Sequence, residues 1–408
     1  MKKITLISGY YYPEQTAIGL YNTQMVEYLE KKGYEVSVIT GFPNYPEWKI
    51  RDNYKDKNTF FSETIGNTKV YRYKQYVPSN PTFLKRIFLI MSFTYGSLIN
   101  IFKVKECDLV FSTVPFTSTM LLGWILKKRT NAKQWNHVQD FEFDAALETG
   151  VSKKIGGLGR LFFKCLYKIE TFLLNRGDVN STIGLQMVDK IAKKSKVESF
   201  FFPNWIESSK INPDKSKPHK YLNGSEFKIL YSGNIGDKQD WELFLSFLEK
   251  LKPFKVKVIV IGAGARKEWL CQRMEHFDNV EYHPPVEYEE LSDLLCSADL
   301  HILFQKSDLI DSLMPSKILG MMASAKPSLV TGNTVSEVKK VLEKSGGGFY
   351  VANRDVDKCV AVVKELINSK EKALKTGINA REYIVNEFSK DKVLPNFEKK
   401  LSEILLKA

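Results

Sequence analysis

Two lysine-bearing stretches in the second half of the chain carry its most legible chemistry. Tyr231-Ser232-Gly233-Asn234-Ile235-Gly236-Asp237-Lys238 reads as a strand, a glycine-bearing loop and the start of a helix. Backbone N–H groups at such a turn, with a lysine beside them, make a seat for a diphosphate. Leu313-Met314-Pro315-Ser316-Lys317-Ile318-Leu319-Gly320 sets a second lysine on a loop running into a helix. Pro315 suits a first helical turn there, and Ser316 can cap the helix or donate to phosphate. Lys238 and Lys317 together would neutralise a leaving nucleoside diphosphate without a metal. Taken alone, the first stretch also fits an ordinary βα turn with a surface lysine.

Acidic residues and one histidine add candidates. Asp140, Glu142 and Asp144 follow a strand, where a carboxylate could position or deprotonate a hydroxyl; a solvated loop is the alternative. Glu14 carries the same two readings. Gly262-Ala263-Gly264 follows a strand as a dinucleotide fingerprint would, but it lacks the third glycine and the acidic ribose partner, so NAD is not expected. Asp355-Val356-Asp357 opens a helical run where acidic residues favour the macrodipole, and it reads as a cap, not a metal-binding DxD. No cofactor and no metal is expected.

These residues need a scaffold. Ile4-Thr5-Leu6-Ile7-Ser8 is a short buried strand, and the loop at residues 10–19 leads into an amphipathic helix turning Leu20, Met25, Val26 and Leu29 inward. Gly33 closes that helix, residues 34–40 form the next parallel strand, and Gly41-Phe42-Pro43-Asn44-Tyr45-Pro46 is a stiff loop at its carboxyl end. This is one βαβ unit without GxGxxG, and ligands of open α/β sheets sit at the carboxyl ends of strands. Strand signals continue at residues 70–72, 109–111 and 134–139, with helical stretches between them. The helix over residues 159–175 has Leu161, Phe162, Cys165, Leu166, Ile169, Phe172 and Leu173 on its apolar side, which is expected to pack.

A polar segment without periodicity, residues 206–225, reads as a linker. The alternation then restarts, with strands at 228–231, 256–261, 280–283, 300–304 and 327–331. The prediction is an α/β chain: a Rossmann-like domain over 1–205, a second over 226–389, parallel sheets facing a deep cleft, and a C-terminal helix over 390–408 crossing back to the first domain. Such a cleft is the default site.

Composition narrows the class. The chain has 408 residues, 43% hydrophobic and 26% charged, with no repeat and no low-complexity tract, which fits two domains of roughly 200 residues. Five scattered cysteines without a CxxC pair argue against a disulfide framework and a zinc site, and read as reduced cytosolic thiols. The basic start lacks a signal peptide's cleavage site, so no secretion is expected. The apolar run over residues 87–102 is short for a span and interrupted by Ser92, Gly96 and Asn100, which suggests a core or interfacial helix.

Net charge is +13, and residues 1–205 hold 29 Lys+Arg against 18 Asp+Glu while the remainder holds 31 against 29. Lys85-Arg86, Lys103, Lys127-Lys128-Arg129 and Lys164 adjoin aliphatic stretches, as expected beside anionic lipid headgroups or on solvated helix faces. Nucleic acid fits poorly, because stacking aromatics are not interleaved.

The loops at 13–19 and 41–46, Ser112 to Pro115, Gln139-Asp140, Gly233 to Lys238, Gly262 to Gly264 and Pro315-Ser316-Lys317 run in order along the whole chain. They resemble glycosyltransferase family 4, most of all its bacterial O-antigen and colanic-acid branch, which includes N-acetyl-L-fucosamine and fucosyl transferases. The resemblance implies the two-domain GT-B fold and transfer, with retention, from a nucleotide-sugar to a lipid-linked acceptor. On the donor side it implies Gly233, Asn234, Lys238, Gly262 and Gly264, then Asp311, Pro315, Ser316, Lys317 and Gly320, with Asp308 also near the donor sugar. On the acceptor side it implies Tyr12, Glu14, Gly19, Asn44, Tyr45, Gln139 and Asp140, so the opening βαβ unit becomes the acceptor wall. Catalytic candidates are Lys317, Lys238, Asp140, His137 and Glu14.

Departures matter too. The family's two glutamates eight positions apart fall on Ser312 and Gly320, its arginine after the loop glycine on Asn234, and its His-Asp pair on Gln139-Asp140. His137, on the same strand face as Gln139, is the available substitute.

The resulting expectation is a metal-independent enzyme at the inner face of the plasma membrane. It would move a deoxy- or acetamido-sugar, from UDP by preference, onto a polyprenyl-diphosphate-linked glycan for O-antigen or capsule. A GDP-fucose-dependent transferase, a sugar-nucleotide epimerase and a non-catalytic membrane scaffold are the alternatives.

Overall fold

The computed structural model describes residues 1–14, 17–141, 143, 156–307 and 316–406. The chain divides into two compact units, Met1–Pro203 with Leu394–Ala408, and Asn204–Val393.

The first unit is built on eight strands: β1 (Lys3–Ile7), β2 (Glu35–Gly41), β3 (Phe60–Ile65), β4 (Thr68–Tyr73), β5 (Leu109–Val114), β6 (Lys133–Val138), β7 (Val179–Thr182) and β8 (Ser199–Phe201). Their order is β3-β4-β2-β1-β5-β6-β7-β8, and every pairing is parallel except β3 with β4. Parallel strands are covered on both faces, which is why all six residues of β5 are buried. The helix Ala17–Lys31 stops where Gly33 takes φ +84° and the Tyr34 N–H reaches back to the Leu29 carbonyl at 3.1 Å. The last helix, Lys390–Leu406, brings Phe397 onto Phe202 in a stack of 4.8 Å and onto Trp135 at 4.9 Å, so the chain's final segment completes this unit's core.

The second unit has six parallel strands: β9 (Phe227–Ser232), β10 (Val256–Ile261), β11 (Val280–His283), β12 (Leu300–Phe304), β13 (Ser328–Gly332) and β14 (Gly348–Ala352). Their order is β11-β10-β9-β12-β13-β14. Direction reverses about β9, whose two neighbours are β10 and β12, and at such a switch point the carboxyl ends of strands leave a crevice.

Four strands lie outside the sequence expectation: β3, β7, β8 and β14. β3 had a usable signal, since Gly66-Asn67 joins Ile65 to Thr68 as a two-residue hairpin loop with Gly66 at φ +61°. The segment read as a linker is not a free tether. Ser292 Oγ accepts from the Asn212 N–H at 3.1 Å, Asp293 from the Lys217 N–H at 2.9 Å and Ser297 from the His219 N–H at 2.9 Å, which fasten it along the helix Leu291–Cys296.

The helix Gly156–Leu174 also departs from expectation. It buries Phe163, Leu173, Leu174 and the charged Glu170, while Leu161, Phe162, Ile169 and Phe172 stay exposed. Of the apolar side expected to pack, Leu173 is buried and Leu166 half-buried, while Leu161, Phe162, Cys165, Ile169 and Phe172 face out. Among the described residues no helix is long and apolar enough to cross a membrane, and all five cysteines are free.

Candidate active site

In the second unit three loops converge at the carboxyl ends of β9, β10 and β12. Gly233 follows β9 at φ +141°, and a Cβ there would stand 2.2 Å from Lys317 Cε. The glycines of Gly262-Ala263-Gly264 have a related cause. A Cβ on Gly262 would lie 1.9 Å from the Gly233 carbonyl oxygen, and one on Gly264 2.4 Å from that of Ile235. The two loops are laced together, with the Gly233 N–H donating to Ile261 and the Ile235 N–H to Ala263, both at 2.8 Å. These glycines therefore let one backbone lie on another, and they shape the loop that holds Asn234.

Lys317 enters from the first turn of the helix Ser316–Ala323. Its ammonium donates to the Tyr231 hydroxyl at 2.9 Å and lies 4.8 Å from the Tyr231 ring centroid. Tyr231 is buried, and its own hydroxyl donates to the Asn234 carbonyl at 2.6 Å. Burial pushes the Lys317 ammonium down to about 8 from its usual 10.5. Among the described residues no carboxylate pairs with it. A partly buried cation held by neutral groups beside a glycine-cleared loop is poised for an anion.

Lys238 differs. It is exposed on the loop after Asn234, and its carbonyl accepts from the Lys306 N–H at 3.2 Å. The following Asp240 caps the helix Trp241–Leu251 through the Leu243 N–H and holds Arg354 through both carboxylate oxygens, at 3.0 and 2.9 Å. Arg266 pairs with Asp237 at 2.5 Å on the same loop. The roles of Tyr231, read only as the end of the strand before the loop, and of Arg266, outside every quoted motif, were missed by sequence reasoning, because both arise from contacts between loops far apart in the chain. Asp355 accepts from the Lys358 N–H at 3.0 Å and is a helix cap.

Gly320 leaves the donor list. It is buried inside the helix Ser316–Ala323, and a Cβ there would meet Leu295 at 3.3 Å and Ile211 at 3.7 Å, so it serves packing. Ser316 is exposed at the start of that helix. Asp308, Asp311 and Pro315 lie outside the described residues, as do Glu142 and Asp144.

In the first unit the candidates gather at the carboxyl ends of β1, β2 and β6. Glu14 is buried, and its Oε1 accepts from the Asn44 N–H at 2.8 Å and the Tyr45 N–H at 2.9 Å, tying the loop after β1 to the loop after β2. Its Oε2 is buried with no hydrogen-bond partner among the described residues. Burial outweighs the two backbone donors and pushes the carboxyl up to about 7. Gly19 is held close behind it, since a Cβ at Gly19 would stand 2.8 Å from the Glu14 carbonyl oxygen. Asn44 donates to the Phe42 carbonyl at 2.9 Å and its Oδ1 has no partner among the described residues, while Tyr45 meets Tyr10 edge-on at 5.8 Å. Tyr12 is 42% exposed, and its carbonyl accepts from the buried Arg72 at 2.5 Å.

His137 is corrected from catalyst to core. It is 3% exposed, its Nδ1 bonds Ser181 Oγ at 2.9 Å and its Nε2 bonds the Gln139 amide at 3.1 Å. Phe202 and Phe111 close over the ring at 4.9 and 5.7 Å, and burial holds its pKa down to about 3. A nearly buried ring with both nitrogens engaged by Ser181 and Gln139 serves the core of the sheet. Gln139 is buried with it, and Asp140 is partly buried just beyond β6.

The sequence model described as glycosyl transferases group 1 matches residues 213–383, which covers the lysine-bearing loops. WcaI of Escherichia coli (strain K12), whose name places it in colanic acid biosynthesis as a glycosyl transferase, is 30% identical over 410 residues, spanning 97% of this chain and 98% of its own. Sucrose-phosphate synthase from Thermosynechococcus elongatus has a TM-score of 0.77 at 14% identity over the full length of both chains. HepE of Anabaena, solved with UDP and glucose, has 0.67 at 11%, covering 98% of this chain and all of that one. At these identities the two structures show the fold.

Proposed function

The chain belongs to the group 1 glycosyl transferases, in the bacterial family 4 branch with the GT-B fold, and from that membership we propose its donor, acceptor and chemistry. It is a glycosyltransferase of polysaccharide or cell-surface glycan biosynthesis. The proposed donor is a nucleoside-diphosphate sugar seated in the second unit, with UDP preferred and a deoxy- or acetamido-sugar such as N-acetyl-L-fucosamine. The proposed acceptor is a polyprenyl-diphosphate-linked glycan, with the loops of Tyr12, Glu14, Asn44 and Tyr45 and the residues Gln139 and Asp140 forming its side.

One observation carries the reading: Lys317 Nζ, held by Tyr231 with no carboxylate partner among the described residues, beside the cleared backbone of Gly233. Lys317, with Lys238 at the mouth, meets the two negative charges of the diphosphate as its bond to the sugar breaks, so no metal is required. The acceptor oxygen bonds the anomeric carbon on the face the diphosphate leaves, which retains configuration. The acceptor's proton passes to the departing phosphate oxygen.

The test is calorimetry and thermal shift with UDP, GDP and their sugars. A ligand at 100 times its dissociation constant stabilises by about 2.7 kcal/mol, and UDP is expected to do so. Silence to every nucleotide would sink the reading, and epimer formation from a nucleotide-sugar without acceptor would redirect it.

A further inference from the structure

The helix Phe83–Ile101 carries large apolar side chains on its outer face as well as its inner one. Its inner face buries Leu89, Phe93 and Ile101 but also Ser97 and Asn100, whose side-chain polar atoms have no hydrogen-bond partner among the described residues. Its outer face sets Leu84, Phe88, Met91, Tyr95 and Ile99 in line at spacings of three and four, with Phe102 beyond; Met91 and Tyr95 are each 61% exposed. The stripe therefore runs unburied along the whole helix.

A second exposed stripe lies on a neighbouring helix. Leu161, Phe162, Ile169 and Phe172 are exposed on the helix Gly156–Leu174, and the two helices touch where Phe83 meets Phe163 at 6.1 Å. The helix Ser118–Thr130 packs against both, and its Trp124 meets Phe172 edge-on at 5.6 Å. Soluble monomers rarely leave so many large apolar side chains exposed on neighbouring helices.

Charge identifies the occupant. The three helices hold eight Lys+Arg and one Asp+Glu. That one, Glu170, is buried in an ion pair with Lys194. Lys103 and Lys105 extend the excess past the first helix, both exposed. Lysine is depleted in protein–protein interfaces, and two copies of so basic a face would repel. Bulky aliphatic and aromatic side chains interleaved with lysines, on helices too short or too polar to span, suit the headgroup boundary of an anionic bilayer.

We propose that the helices Phe83–Ile101 and Gly156–Leu174 lie on an anionic membrane. Phe88, Met91, Tyr95 and Phe102 enter the acyl boundary, and Lys85, Arg86, Lys103, Lys164 and Lys168 meet lipid phosphates. The surface extends the lipid-linked acceptor reading but rests on its own residues.

Flotation of the full chain with phosphatidylcholine vesicles, with and without phosphatidylglycerol, is the test. The chain is expected to float with phosphatidylglycerol and to be released by salt. Phe88→Gln with Met91→Gln should weaken binding by at least about tenfold, and Lys85→Glu with Lys103→Glu should remove the lipid preference. Melting temperature and nucleotide response should stay as in the unaltered chain. No flotation, equal flotation of all variants, or a dimer in sedimentation that the Phe88 and Met91 changes dissociate would overturn it. Failure to bind nucleotides would defeat the donor reading and leave this one standing.

Discussion

The Tyr231 hydroxyl accepts a hydrogen bond from Lys317 Nζ at 2.9 Å, across 86 residues of chain. The same hydroxyl donates to the Asn234 carbonyl, so its lone pairs are turned toward the ammonium. Lys317→Ala is expected to cost about 2 to 3 kcal/mol of transition-state stabilisation, roughly 30- to 160-fold in rate. Tyr231→Phe keeps the ring beneath the ammonium and removes only the oxygen, for about 1 to 2 kcal/mol. Single-turnover transfer rates and nucleotide affinity check both, and an unchanged rate for Lys317→Ala would defeat the assignment.

Gly233→Ala probes the same seat from the backbone. The new Cβ would stand 2.2 Å from Lys317 Cε at a φ of +141°. Nucleotide affinity should fall more than stability does, as titration calorimetry beside thermal melts would resolve.

Nucleotide affinity should depend on alkaline pH. Lys317 is cationic below about 8, and a diphosphate needs the cation. Affinity should be level below that value and decline about tenfold per unit above it. The free protein responds in the opposite sense: a folded pKa below the unfolded 10.5 means the folded chain holds fewer protons between the two values, so stability rises with pH there. Affinity that stays level to pH 10 would show that Lys317 is not the anion's partner.

Glu14 should make stability fall from acid to neutral pH. Its folded value of about 7 lies above the ordinary 4.5, so the stability it contributes is full below 4.5 and is lost as pH rises through 7. The difference amounts to at most about 3 kcal/mol. Glu14→Gln keeps an acceptor for the Asn44 and Tyr45 N–H groups and removes the charge, so its melting temperature should be flatter across pH 5 to 8. Identical profiles for the two chains would exclude this role.

His137→Phe should leave nucleotide binding intact and lower stability by about 1 to 3 kcal/mol, because Ser181 and Gln139 each lose a partner. A hundredfold loss of transfer with unchanged melting would return His137 to catalysis.

The sequence by itself determined the two α/β halves, the loop after β9 and the lysine at 317, because glycine-bearing turns and apolar strand runs are local signals. It also showed the basic bias of the first half. Only the tertiary structure decided which polar residues face one another. It seated Tyr231 under Lys317, engaged both nitrogens of His137, hid Gly320 in a helix and turned Glu14 inward against the backbone of a neighbouring loop. It likewise decided that Phe88 and Phe162 face out, since helical periodicity defines an apolar stripe but not whether a neighbour covers it. Burial and partnership depend on contacts between residues far apart in the chain, and no local spacing records those.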